Sequence, residues 1–131
     1  MTEALDQLVR TRAFDRCEYC RMPQSARRLR FQIDHIIALQ HGGKTTADNL
    51  ALACGRCNRH KGPNLSGIDA VSGQITALFH PRTQDWATHF AMSGDTISGV
   101  TSTGRATVAT LNMNDPTERS VRLELIRQGI F

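Results

Sequence analysis

The sequence predicts an α+β fold: a small strand, loop, strand and helix unit, followed by a C-terminal extension made of a β-hairpin and a last helix. Three observations lead there. Four cysteines stand as Cys17-x-x-Cys20 and Cys54-x-x-Cys57, and the chain has no others. Between these pairs, Leu29, Phe31 and Ile33 alternate in the period of a strand. After them, Gly42-Gly43 and Gly62-Pro63 mark turns around a second apolar stretch, residues 50–53. At 131 residues the chain can bury one modest core, so two fully independent domains are not expected. The expected division is a cysteine-stapled core over residues 1–66 and an α+β extension over 67–131 packed on it.

Taken in order, Leu5, Leu8 and Val9 lie at helical spacing after Thr2, with Glu3 and Asp6 in the first turn, and predict a helix over residues 3–13. A short basic helix or loop follows Met22-Pro23 as far as Arg28. The alternation then predicts a strand ending at Asp34, with His35 at its exit. Residues 50–53 pair back as the second arm of a hairpin, and the second cysteine pair opens a helix over residues 55–61 stopped by Gly62-Pro63. Residues 62–73, rich in Gly, Ser and Asn, read as a connecting loop, and 74–79 as a strand. Trp86, His89 and Phe90 share helical spacing. The β-branched residues of 96–101 and 105–111 predict a hairpin turning at Ser102-Thr103-Gly104. Asp115, Pro116 and Glu118 supply an N-cap, a first-turn proline and a reciprocal capping partner for a last helix ending near Gly129, with Val121, Leu123, Leu125 and Ile126 toward the core.

Two Cys-x-x-Cys knuckles a few dozen residues apart supply the four thiolates of a closed, structural zinc site. No run of about 18 apolar residues exists for a membrane span. Residues 1–12 carry Glu3 and Asp6 where a secretion signal would be basic and then apolar. The expectation is a soluble cytoplasmic protein, in whose reducing setting such cysteines bind metal in preference to forming disulfides.

The net charge of +4 is unevenly placed. Residues 1–61 hold 11 Lys and Arg against 6 Asp and Glu, whereas 62–131 hold 5 against 6. The cysteine half is the basic half, which suits a polyanion. A solvated basic face is the plainer reading of such charge alone. Its position around a candidate metal site favours nucleic acid, with Arg27, Arg28, Arg30, Arg56, Arg59 and Lys61 as contact residues.

The string Cys17-Glu18-Tyr19-Cys20, Phe31-Gln32-Ile33-Asp34-His35-Ile36-Ile37, Gly42-Gly43, Asn49-Leu50-Ala51-Leu52-Ala53-Cys54 and Cys57-Asn58-Arg59-His60-Lys61-Gly62 resembles the HNH endonuclease family. The resemblance covers residues 14–62 and implies that family's ββα-metal core. Where many members place a third histidine this chain has Asn58, which looks like the Cys-Asn-x-x-Lys form. The resemblance implies a DNA endonuclease with a catalytic divalent ion, Mg²⁺ or Mn²⁺, at Asp34 and Asn58. His35 would be the general base, and Asn49 would position His35 or its loop. It also implies 3′-hydroxyl and 5′-phosphate products. One such site cuts one strand at a time, so a double-strand break requires a homodimer or two separate visits.

The residue types suit that chemistry. A carboxylate such as Asp34 is a hard ligand for Mg²⁺ or Mn²⁺, the Asn58 amide oxygen is a weaker neutral one, and an imidazole titrating near neutrality can accept a proton from water. His60 is a rival ligand to Asn58, but two residues along a helix is about 200° of rotation and points the side chains to opposite faces. Taken in isolation, Asp34 reads as a strand-end carboxylate satisfying turn amides, His35 as a half-buried imidazole, and Asn49 as a turn residue. The alternative reading of the whole is a zinc-ribbon module that binds nucleic acid without cutting it. A third is an interaction module whose basic face meets an acidic protein.

Overall fold

A computed structural model describes all 131 residues, Met1 to Phe131. Helix α1 spans Glu3–Arg12, capped by Thr2, whose hydroxyl accepts from the Leu5 amide. Phe14 and Asp15 then turn the chain with positive φ. Strands β1 (Gln32–His35) and β2 (Leu50–Ala53) form an antiparallel hairpin that sets Asp34 opposite Ala51 and His35 opposite Leu50. Helix α2 (Gly55–Lys61) follows directly, with the Cys54 sulfur accepting from the Cys57 amide at its N-terminus. Gly62, at φ 50°, ends it. α1 is tied to this hairpin through the backbone: Arg10 donates to the Phe31 carbonyl and Arg12 to that of Leu50. These two arginines of the basic half therefore hold the fold together.

The second half adds two more antiparallel hairpins, β3 (Ser66–Ile68) with β4 (Ile75–Ala77) and β5 (Phe90–Ser93) with β6 (Thr96–Gly99). The one-turn helix α3 (Trp86–His89) runs into β5. Helices α4 (Ser102–Thr110) and α5 (Pro116–Arg127) complete the chain. One continuous core joins the halves, with Val9, Cys17, Tyr19, Met22, Leu50 and Leu52 packed together with Phe79, Phe90, Ile97, Leu111 and Met113.

Six expectations for this half are corrected. The predicted hairpin of 96–101 and 105–111 is a strand followed by a helix; the true hairpin turns one step earlier, at Gly94-Asp95, between β5 and β6. Thr101 caps α4 by accepting from the Gly104 amide. The β-branched Thr107 is accommodated because its hydroxyl donates back to the Thr103 carbonyl. Gly104 lets the helix lie against β5 and β6, since a Cβ there would meet the His89 carbonyl at 2.0 Å. The expected loop of 62–73 contains β3, and the strand of 74–79 is only β4. Phe90 belongs to a strand and not to the helix of Trp86 and His89. Asp115 caps α5 as expected, accepting from the Thr117 amide, but Glu118 reaches Arg27 and not the helix cap. The buried face of α5 is Glu118, Arg122 and Leu125, with Ile126 exposed.

Candidate active site

Both cysteine pairs meet. The sulfur atoms of Cys17, Cys20, Cys54 and Cys57 all lie within 4.8 Å of one another, and every one of these residues is buried. Four thiolates placed tetrahedrally at about 2.3 Å from a zinc ion lie about 3.8 Å apart. Cys20 and Cys54 stand at 3.7 Å, sulfur to sulfur. Hydrogen bonds from Cys17, Cys20 and Cys57 hold the Cys54 thiol far below its ordinary range, while the same crowding pushes Cys20 and Cys57 up. Thiolates crowded this closely repel one another, and a bound dication relieves that repulsion. The cluster therefore fits a structural zinc.

Beside it, Asp34, His35 and Asn58 line one open cleft of about 290 Å³, with Ala38, Leu39 and Gly62 on its walls. Asp34 is 6% exposed, and two partners hold its carboxylate. The Tyr19 hydroxyl donates at 2.8 Å, and the Lys61 ammonium pairs at 3.1 Å. Burial raises the Asp34 pKa; Lys61 and Tyr19 pull the other way. Both partners are carried by the zinc knuckles. Tyr19 sits between Cys17 and Cys20, and Lys61 ends the helix that Cys54 and Cys57 open. Lys61 also donates to the carbonyls of His35 and Ile36, so α2 grips the end of β1.

His35 is half-buried, and its Nε2 stands 2.8 Å from the Thr45 hydroxyl. Asn58 gives its amide nitrogen to Gln32, which leaves its amide oxygen free as an acceptor. Asn49 is buried and does not line the cleft. Its Nδ2 donates to the carbonyls of Ile37 and Lys44, and its Oδ1 accepts from the Ile37 amide, which closes the loop after β1. Gly43 is demanded there, because a Cβ would fall 1.7 Å from the Ile37 carbonyl oxygen.

The six residues expected to contact nucleic acid separate into two groups. Lys61 is 2% exposed and engaged with Asp34, so it is a buried brace and not a surface cation. Arg27 pairs with Glu118 and Arg56 with Asp115, each carboxylate supplied by the C-terminal half. Arg28 and Arg59 are exposed, and Arg30, largely exposed, reaches Asp6 at 3.3 Å. Tyr19, Thr45 and the inward role of Lys61 were missed from sequence. One signal for Lys61 was available: it stands four residues after Cys57, on the face of α2 that the cluster must bury.

No helix is long and apolar enough to cross a membrane. No curated protein and no solved structure gives a significant match to the chain. The family model described as HNH endonuclease matches residues 17–64, from the first cysteine to just beyond α2, and leaves the second half outside. Residues 17–64 therefore constitute an HNH endonuclease domain, built around a four-cysteine cluster of the kind that holds zinc.

Proposed function

We propose that the protein is a metal-dependent endonuclease that hydrolyses phosphodiester bonds in DNA. The observation that supports this most is the shared cleft of Asp34, His35 and Asn58 beside the thiolate cluster. Asp34 and the free amide oxygen of Asn58 would hold a catalytic Mg²⁺ or Mn²⁺. Such an ion, when bound, relieves phosphate charge and stabilises the leaving oxygen. Tyr19 and Lys61 fix the Asp34 carboxylate in one orientation. With the Thr45 hydroxyl accepting from Nε2–H, the His35 ring keeps its lone pair on Nδ1, free to take a proton from the attacking water. Asn49 holds the loop carrying Thr45 and acts through His35. Arg28, Arg30 and Arg59 are the exposed cations left for phosphate contacts. A single cleft nicks one strand, and cutting both would take a homodimer or two visits.

One observation favours the rival reading, a zinc module that binds nucleic acid without cutting. The Asp34 carboxylate is nearly sealed and already satisfied by two donors. Incubating supercoiled plasmid with the parent and with His35→Ala, in Mg²⁺, Mn²⁺ or EDTA, decides between them. The expected outcome is nicking by the parent that requires the divalent ion and is lost in the variant. Bound zinc, an intact fold and no cutting by either protein would favour the binding module.

A further inference from the structure

Arg122 is the largest wholly buried side chain of the molecule, and it has no carboxylate partner. Its guanidinium donates to the carbonyls of Met113 and Asp95 and to the Asn114 side-chain oxygen. Its Nε has no partner at all. The Phe131 ring lies 5.8 Å from it. Neutral acceptors orient a guanidinium but do not offset the cost of burying its charge, which calls for a nearby anion.

The two carboxylates in the neighbourhood are engaged elsewhere, Glu118 with Arg27 and Asp95 with Arg119. What remains is the thiolate cluster. Leu125 and Met113, which flank Arg122 on α5 and before it, share one packed core with Cys17, Cys20 and Cys57. Phe131 also stacks against Arg16, the residue before Cys17, so the end of the chain lies against the first knuckle. Burial lowers the pKa of Arg122, and Cys20 heads the groups that oppose this, ahead of Glu118 and Asp95, with Cys57 following. A zinc ion held by four thiolates leaves the centre with two net negative charges in a low-dielectric interior.

We propose that Arg122 is the countercharge of the zinc tetrathiolate, so that the C-terminal helix α5, outside the family match, completes the metal centre of the N-terminal half. Arg122 acts on the zinc through the field at its thiolates and not as a ligand. The inference stands apart from the nuclease reading and holds for a catalytic or a binding protein alike.

The test separates charge from hydrogen bonding. Arg122→Lys keeps the cation and loses the forked donors; Arg122→Gln keeps a donor and loses the cation. Each variant and the parent are refolded from guanidinium under reducing conditions over a series of buffered free zinc concentrations, and folding is followed by far-ultraviolet circular dichroism. The zinc concentration at half-refolding should rise at least tenfold for Arg122→Gln and stay within about threefold of the parent for Arg122→Lys. Equal midpoints for parent and Gln variant would overturn the proposal. So would an equal rise in both variants, or failure of both to refold at saturating zinc, since either outcome makes geometry and not charge the contribution of Arg122.

Discussion

Lys61 shows how far one residue can stand from its surface reading. In sequence it is one more cation in a basic run; in the fold it is a 2% exposed ammonium against a buried carboxylate. Removing one member of a buried pair strands the other, at a cost of about 3–5 kcal/mol. Lys61→Met should therefore lower stability by about that amount in zinc-saturated protein, measured by urea unfolding. Adding Asp34→Asn should recover much of the loss, because an amide has no charge to strand. Equal destabilisation in the single and double variants would show that the Lys61 bonds to the His35 and Ile36 carbonyls carry the effect. The four cysteines were legible because their spacing states their chemistry, whereas Asp34, His35 and Asn58 stood out only through the family resemblance, and the fold brings the three to one cleft. Tyr19 and Thr45 were not legible, since a hydroxyl that orients another side chain leaves no trace in spacing.

At the scale of elements, β2 and α2 of the first half were predicted with their observed bounds, but β1 starts at Gln32 and includes His35, leaving the expected strand residue Leu29 outside it and exposed. Metal-ligand spacing and turn glycines fix the register there. In the second half the Thr- and Val-rich stretch of 105–111 favoured a strand by propensity, and tertiary structure overrode it. Thr107 explains how. Its hydroxyl donates to the Thr103 carbonyl and accepts from the buried Phe79 amide, joining α4 to the end of β4. Thr107→Val, nearly isosteric, should cost about 1–3 kcal/mol by leaving that amide unpaired. Thermal or urea unfolding reads it, and no change would mean the amide finds another acceptor.

The β3–β4 turn is held by Asp69, a buried carboxylate that takes a forked pair of bonds from Arg105 and others from Val71 and Ser72. Arg105 foremost holds its pKa well below the ordinary range. A depressed carboxylate contributes stability that is complete above the unfolded value, about pH 4, and is lost as pH falls toward the folded one. Melting temperature should thus fall more steeply below pH 4 in the parent than in Asp69→Asn. Zinc release in acid affects both proteins, so the difference between their curves is the quantity to follow.

For the whole molecule, the unequal charge of the two halves becomes an internal fit. Glu118 and Asp115 take up Arg27 and Arg56, and Arg82 answers Glu18 in the opposite sense. The Arg16 guanidinium also reaches the Ile130 carbonyl, 114 residues away. Much of the basic surplus that looked like a nucleic-acid face is therefore spent in docking the extension. Arg27→Ala should cost about 1 kcal/mol of stability. Arg28→Ala should leave the melting curve unchanged and weaken DNA binding, measured by fluorescence anisotropy at fixed salt. The opposite assignment of effects would place the contact surface at Arg27.

The chain has one tryptophan and one tyrosine, and they meet at the first knuckle. The Trp86 indole nitrogen donates to the Tyr19 carbonyl at 2.8 Å, and the Arg21 guanidinium lies over its ring. Intrinsic fluorescence from this molecule therefore has a single address. Emission excited at the indole band reports whether the second half still touches the loop between Cys17 and Cys20, with no second indole to blur the signal. The protein carries an optical gauge of its own metal centre.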